Sequence, residues 1–176
     1  EEFLGWAATA GFPCVEVSSG AVSMRPAQKR ALIEAAAERF VVLGEIGAKD
    51  PRVGVSAHEW AKAAAADLEA GATWVVTEGR ESGTVGLFDP AGEVRGDVVD
   101  AVVAAIGAES TVFEAPRKDQ QAWLIRRFGP DVNLGNVLPA EVLGLEALRL
   151  GLRADTMTAA PAGAPGVTTS PAADAP

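Results

Sequence analysis

Short apolar runs alternate with longer helical ones along almost the whole chain. The apolar runs lie at 13–17, 40–45, 73–78, 111–114, 131–134 and 151–156. Between them the pattern predicts helices over 1–10, 26–39, 57–70, 96–106, 117–128 and 139–149. Helix punctuation agrees with these bounds. Gly11, Gly71, Gly107 and Gly129-Pro130 stand where helices should stop, and Pro26 and Pro139 where they should start. Ser56 with Glu59 three residues on is a capping box. Parallel neighbours need a crossover of about a dozen residues or more, so this alternation predicts a parallel sheet with crossover helices. The runs are apolar throughout, as expected for strands covered on both faces.

The number of runs then separates two α/β architectures. A doubly wound open sheet would carry a phosphate loop, and neither G-x-G-x-x-G nor a Walker A pattern follows any run. Charged residues instead leave one strand end after another. Six runs fall short of the eight of a (β/α)8 TIM barrel. The chain also starts without methionine, in what reads as mid-domain. The expectation is a (β/α)8 barrel lacking its first two βα units in this chain, with residues 1–156 as the barrel domain. Residues 157–176 are Ala, Pro, Thr and Ser with almost no large apolar residue, and are expected to be a disordered tail.

The net charge of −9 argues against nucleic acid, whose phosphates call for clustered Lys and Arg. No run approaches the ~20 apolar residues that cross a bilayer, so no membrane partner is expected. The one cysteine, Cys14, cannot form an internal disulfide, and a cytoplasmic location fits. One histidine, His58, and no tyrosine leave acid–base chemistry mainly to Glu, Asp and Lys. His58 lies near a helix start and reads as a surface residue. A histidine-rich zinc site is excluded, and any metal would be held by oxygen, as Mg²⁺ is. Trp60, Trp74 and Trp123 read as packing residues. Lys118 and Arg126-Arg127 read as a solvated helix face, and the roles of Gln120 and Gln121 stay open.

Four of the runs carry a glutamate at or next to their end: Glu16, Glu45, Glu78 and Glu114. The third opens into WVVTEGRESG (74–83), a strand followed by a loop with Glu78, Arg80, Glu81 and Ser82. Charges at the end of an apolar strand are costly to bury unless paired or used. Carried by the same end of several parallel strands, they converge on one place.

The stretches CVEVSSG, VLGEIGAKD, DLEAGATWVVTEGRESGTVGLFD, FEAPRKDQQAWLIRRFGPDVNLGNV and LEALRLGLRADT, in this order, resemble the phosphosulfolactate synthase family, with plant heat-stress-associated relatives. The likeness covers about residues 1–156. Ser19, Ala48 and Ala154 depart from the family's usual Asp, Lys and Gly. The resemblance implies a (β/α)8 barrel and Mg²⁺-dependent addition of sulfite to phosphoenolpyruvate, giving 2-phospho-3-sulfolactate on the way to coenzyme M. It implies small anionic substrates and leaves a homo-oligomer open. Under it, Lys49 is the expected general acid, with Glu45 and Glu78 beside it as catalytic residues. Glu16 and Glu114 are expected to bind metal. Arg80 and Arg153 are expected anion clamps, since a guanidinium meets phosphate or carboxylate at two points. Ser18 and the backbone around Asn136 complete the expected substrate contacts. Two alternatives stay open: a barrel acting on another phospho-enol substrate, and a non-catalytic stress-associated protein.

Overall fold

The computed structural model describes residues 2–19, 22, 24–47 and 54–157. Its elements follow the expected alternation: α1 (Glu2–Thr9), β1 (Cys14–Ser18), α2 (Pro26–Ala37), β2 (Val41–Ile46), α3 (Ala57–Glu69) and β3 (Trp74–Thr77). There follow α4 (Gly96–Ile106), β4 (Thr111–Glu114), α5 (Lys118–Phe128), β5 (Leu134–Gly135), a 3-10 turn (Pro139–Glu141) and α6 (Val142–Arg149). The capping box forms at the start of α3: Ser56 Oγ accepts from the Glu59 N–H, and the Glu59 carboxylate accepts from the Ser56 N–H. No helix among the described residues is long and apolar enough to cross a membrane.

All strand pairs are parallel, in the order β1-β2-β3-β4-β5. Each strand therefore pairs with the one before it in sequence. A doubly wound sheet reverses its order at a switch point. The one-way order seen here is consistent with an arc of a (β/α) barrel.

Five strands form among the described residues where six were expected. Residues 151–156 turn back onto α6 instead of joining the sheet. The Leu152 N–H donates to the Ala147 carbonyl at 2.9 Å, and the buried Thr156 hydroxyl donates to the Leu148 carbonyl at 2.6 Å. The Leu152 N–H, and the Thr156 N–H that donates to the Arg153 carbonyl at 3.0 Å, are backbone donors that a ladder would need. The strand expected at 131–134 starts late, at Leu134. The Asn133 amide first donates to the carbonyls of Glu109 and Thr111, fastening the approach to β4. Residues 158–176, expected to be a disordered tail, lie outside the described residues.

Alternate strand residues point to opposite faces of a sheet. One face carries Val42, Gly44, Ile46, Val75, Thr77, Thr111 and Phe113, all buried beneath the helices. The larger core joins Ile46, Val75 and Phe113 to Trp60 of α3, Val98 and Val102 of α4 and Leu124 and Ile125 of α5. A smaller one joins Val15 and Val42 to Ala7, Ile33, Ala36 and Phe40. Each fully buried Val, Leu or Phe contributes about 1.5–3 kcal/mol, so the helix side of the sheet holds the molecule together. The other face carries Glu16, Leu43, Glu45, Trp74, Val76, Val112 and Glu114. This inner face is only partly covered. Trp74, read from the sequence as a packing residue, is 38% exposed on it, whereas Trp60 is 1% exposed.

A charged pair crosses the helix side. Lys29 of α2 sits 2.5 Å from Asp67 Oδ2 of α3 and donates to the Glu45 carbonyl at 2.6 Å. Gly44 makes room for it, since a Cβ there would lie 2.6 Å from Asp67 Oδ2. Burial pushes the Asp67 carboxyl above its ordinary range, and the Lys29 charge pulls it part of the way back.

Candidate active site at the strand ends

Strand register decides which of the glutamates meet. Ser18 of β1 lies opposite Glu45 of β2, and Glu45 opposite Val76 of β3. The Glu78 N–H continues the ladder by donating to the Ile46 carbonyl at 2.9 Å. Because Thr77 lies opposite Phe113, Glu78 and Glu114 follow side by side, and Glu114 lies opposite Gly135 of β5. Glu45, Glu78 and Glu114 thus share the inner face at successive strand ends. Glu45 is 6% and Glu78 2% exposed, and Glu114 is half-buried.

Glu16 does not join them. β1 runs two residues past it to Ser18, and Glu16 lies opposite Leu43. That is about 7 Å behind Ser18 and Glu45, at ~3.3 Å of rise per residue. Its side chain is exposed. By the same register Glu45, opposite Val76, lies one such step behind Glu78 and Glu114, so the expected array of four strand-end carboxylates is staggered, with only Glu78 and Glu114 side by side.

The loop after β3 is built around two of these carboxylates. Glu114 Oε2 accepts from the N–H groups of Gly79 at 2.8 Å and Arg80 at 3.1 Å. Glu78 Oε1 accepts from the same Arg80 N–H at 3.0 Å. Backbone N–H groups aimed at carboxylates make strong, charge-assisted bonds. They hold Arg80 at a φ of 49°, in the left-handed region that a non-glycine residue rarely adopts. Arg80, Glu81 and Ser82 are exposed at the rim. The loop closes where the Leu87 N–H donates to the Glu78 carbonyl at 2.8 Å. Asn136, directly after β5, is left-handed too, with a φ of 54°. Such strained positions concentrate at functional sites.

Ser18, Glu45, Glu78, Arg80, Glu114 and Asn136 therefore gather at or next to adjacent strand ends. Arg153, with Lys118, Gln121 and Glu141, lines a cavity of about 320 Å³ beside α5 and α6, and Gln121 donates to the carbonyl of Ala115, the residue after Glu114. Lys49 lies outside the described residues. His58 is exposed on α3, as expected.

Four supporting residues carried a signal that the sequence reading did not use. Lys29 shares a helical face with buried Ile33 and Ala36, at i+4 and i+7. Asp67 shares one with Trp60 and Ala64. Gln120 and Gln121 share one with Leu124 and Ile125. A polar residue on an apolar helical stripe is buried with its partner, whereas one off the stripe is solvated.

Magnesium takes oxygen ligands and is held through one or two protein carboxylates, with water and substrate oxygens completing its shell. No three or more His, Cys, Asp or Glu among the described residues form a metal-holding group. Glu78 and Glu114, side by side on neighbouring strands, fit the sparser magnesium pattern; Glu45 and Glu16 lie successively further behind them.

The (2R)-phospho-3-sulfolactate synthase (ComA) family model matches residues 1–155. The chain belongs to the phosphosulfolactate synthase family. It is 40% identical over 161 residues to the phosphosulfolactate synthase of Methanothermobacter thermautotrophicus, covering 89% of this chain and 62% of that protein. The synthase of Bacillus subtilis is 40% identical over 158 residues, 88% of this chain and 63% of that one. The Arabidopsis thaliana protein HEAT-STRESS-ASSOCIATED 32 is 34% identical over 82 residues, 47% of this chain and 27% of that protein. The chain spans less than two thirds of the length of the two synthases. Residues 74–83, 113–114 and 134–136, which lie within the stretches that resemble the family, also build the strand-end rim.

Proposed function

We propose that this chain carries the strand-end site of a phosphosulfolactate synthase, which adds sulfite to phosphoenolpyruvate with Mg²⁺ to give 2-phospho-3-sulfolactate. The observation that carries this is the row of inner-face carboxylates Glu45, Glu78 and Glu114 with Arg80 beside it, in a chain of that family. The five-strand arc is read as part of a (β/α)8 barrel, in which the inner face lines the interior and the site opens at the C-terminal ends of the strands.

In this reaction the sulfite sulfur forms a bond to the methylene carbon. The electrons of the C2–C3 double bond move toward C2 and the carboxylate, and a proton then reaches C2. Three anionic groups must be held together, and cations have to hold them. Arg80 meets the phosphate or carboxylate through its two-pronged guanidinium. Ser18 and the backbone at Asn136 add hydrogen bonds at neighbouring strand ends. Lys49, three residues past the end of β2, delivers the proton. Glu78, with Glu114 beside it, would hold Mg²⁺. When bound, the ion supplies charge stabilisation at the substrate carboxylate.

The test follows loss of the enol absorbance when the protein is mixed with phosphoenolpyruvate, sulfite and Mg²⁺. Turnover is expected, and Lys49→Ala and Glu78→Gln are each expected to slow it by ~10²–10⁴-fold. Mg²⁺-dependent binding of phosphoenolpyruvate without turnover would point to another phospho-enol reaction. Neither turnover nor binding ends the proposal.

A further inference from the structure

The loop that carries Arg80 is fastened from behind by a residue outside the rim. Gln120, in the first turn of α5, is 1% exposed. Its amide nitrogen donates to the carbonyls of Gly83 at 2.8 Å and Gly92 at 3.0 Å. Its side-chain oxygen accepts from the Arg117 N–H at 3.3 Å. A primary amide has two N–H donors, and both are used. One buried side chain thereby ties the end of the rim loop, the turn around Gly92 and the start of α5. Gly83 has a φ of +60°, and a Cβ there would lie 2.7 Å from the Gln120 amide. Residue 83 thus has to be glycine for the amide to come this close.

The rim loop is held at both ends. Glu114 grips the N–H groups of Gly79 and Arg80, and Gln120 grips the carbonyl of Gly83. Only Arg80, Glu81 and Ser82 between them face solvent. A left-handed arginine persists only where its surroundings over-determine it.

We infer that Gln120 is a positioning residue: it braces the loop so that the Arg80 guanidinium stands ready for the substrate anion. This rests on the proposed function for what Arg80 binds, and on geometry alone for the brace. Without the brace, Arg80 relaxes among conformers of which few reach the anion, and apparent affinity falls by the fraction that remains competent.

Gln120→Met keeps length and volume but removes both donors. Gly83→Ala attacks the same contact from the loop side, and serves if the first variant fails to fold. Two readouts are taken: the rate of tryptic cleavage after Arg80 relative to Arg30 on α2, and kcat and KM for phosphoenolpyruvate. Cleavage after Arg80 is expected to rise by ~10-fold. KM is expected to rise by ~10-fold with kcat within about twofold, the pattern of lost binding in ground and transition state alike. Unchanged cleavage in both variants overturns the brace. Faster cleavage with an unchanged KM, or a fall in kcat alone, overturns the positioning role. If the wild-type protein shows no turnover, the proposed function fails on its own. The brace is then decided by cleavage, and positioning by calorimetric affinity for phosphoenolpyruvate, which overturns it if equal in wild type and Gln120→Met.

Discussion

Arg80 is where local preference and tertiary structure disagree most openly. For an L-residue the left-handed conformation costs roughly 1–2 kcal/mol, and the chain keeps an arginine there at a φ of 49°. Glycine adopts the same conformation freely but loses more entropy on folding. Arg80→Gly is therefore expected to leave stability unchanged or raise it by up to about 1 kcal/mol. The same change removes the proposed anion contact, and affinity for phosphoenolpyruvate is expected to fall by at least ~10-fold. Thermal melting and calorimetry on one sample check both halves. A variant that loses stability and keeps affinity would falsify the assignment of Arg80. The residue type was legible in GRESG, because a charge after an apolar strand stands out. Its backbone state was not, since that is imposed by Glu114, thirty-four residues away, through two N–H bonds.

Between elements, the Lys29–Asp67 pair joins α2, β2 and α3 next to a strand-end carboxylate. Removing one partner of a buried pair leaves an uncompensated charge, so Lys29→Met is expected to cost about 3–5 kcal/mol at neutral pH. Lys29→Met with Asp67→Asn removes that charge and should recover part of the loss in urea denaturation. The pH dependence has a definite sign. The folded-state pKa of Asp67 is raised, so the folded chain holds this proton more tightly than the unfolded one. Stability contributed by this group therefore falls as pH rises from about 4, the unfolded value, through the folded value. Lys29→Met lifts that folded value further, and its destabilisation should shrink as pH is lowered toward 4. A penalty that stays flat across that range would mean Asp67 does not carry it. The helix punctuation was readable, because caps are local: Ser56 and Glu59 needed only a spacing of three. The sixth strand was misread because GLRADT looks extended locally. Only the fold shows that Thr156 and Leu152 spend their polar groups on the end of α6.

At the scale of the molecule, the core lies on one side of the sheet and the other side remains partly open. That asymmetry is measurable through the tryptophans. Trp6 and Trp74 are 58% and 38% exposed, whereas Trp60 is buried. Acrylamide is expected to quench a distinct accessible fraction of the emission, and Trp74→Phe with Trp6→Phe should remove most of it. If copies of the chain cover the inner face, the Trp74 share of quenching falls as protein concentration rises. The α/β class and the order of elements were legible because periodicity and punctuation are local and consistent. The side-by-side placement of Glu78 and Glu114, with Glu45 and Glu16 stepped behind them, was not, because register is set between strands. The one-way strand order also bears on how the chain is made. Among the described residues, each strand after β1 pairs with the one synthesised just before it. A ribosome-bound chain stopped after α3 can already lay β2 on β1 and close the smaller core, so folding can keep pace with translation one unit at a time.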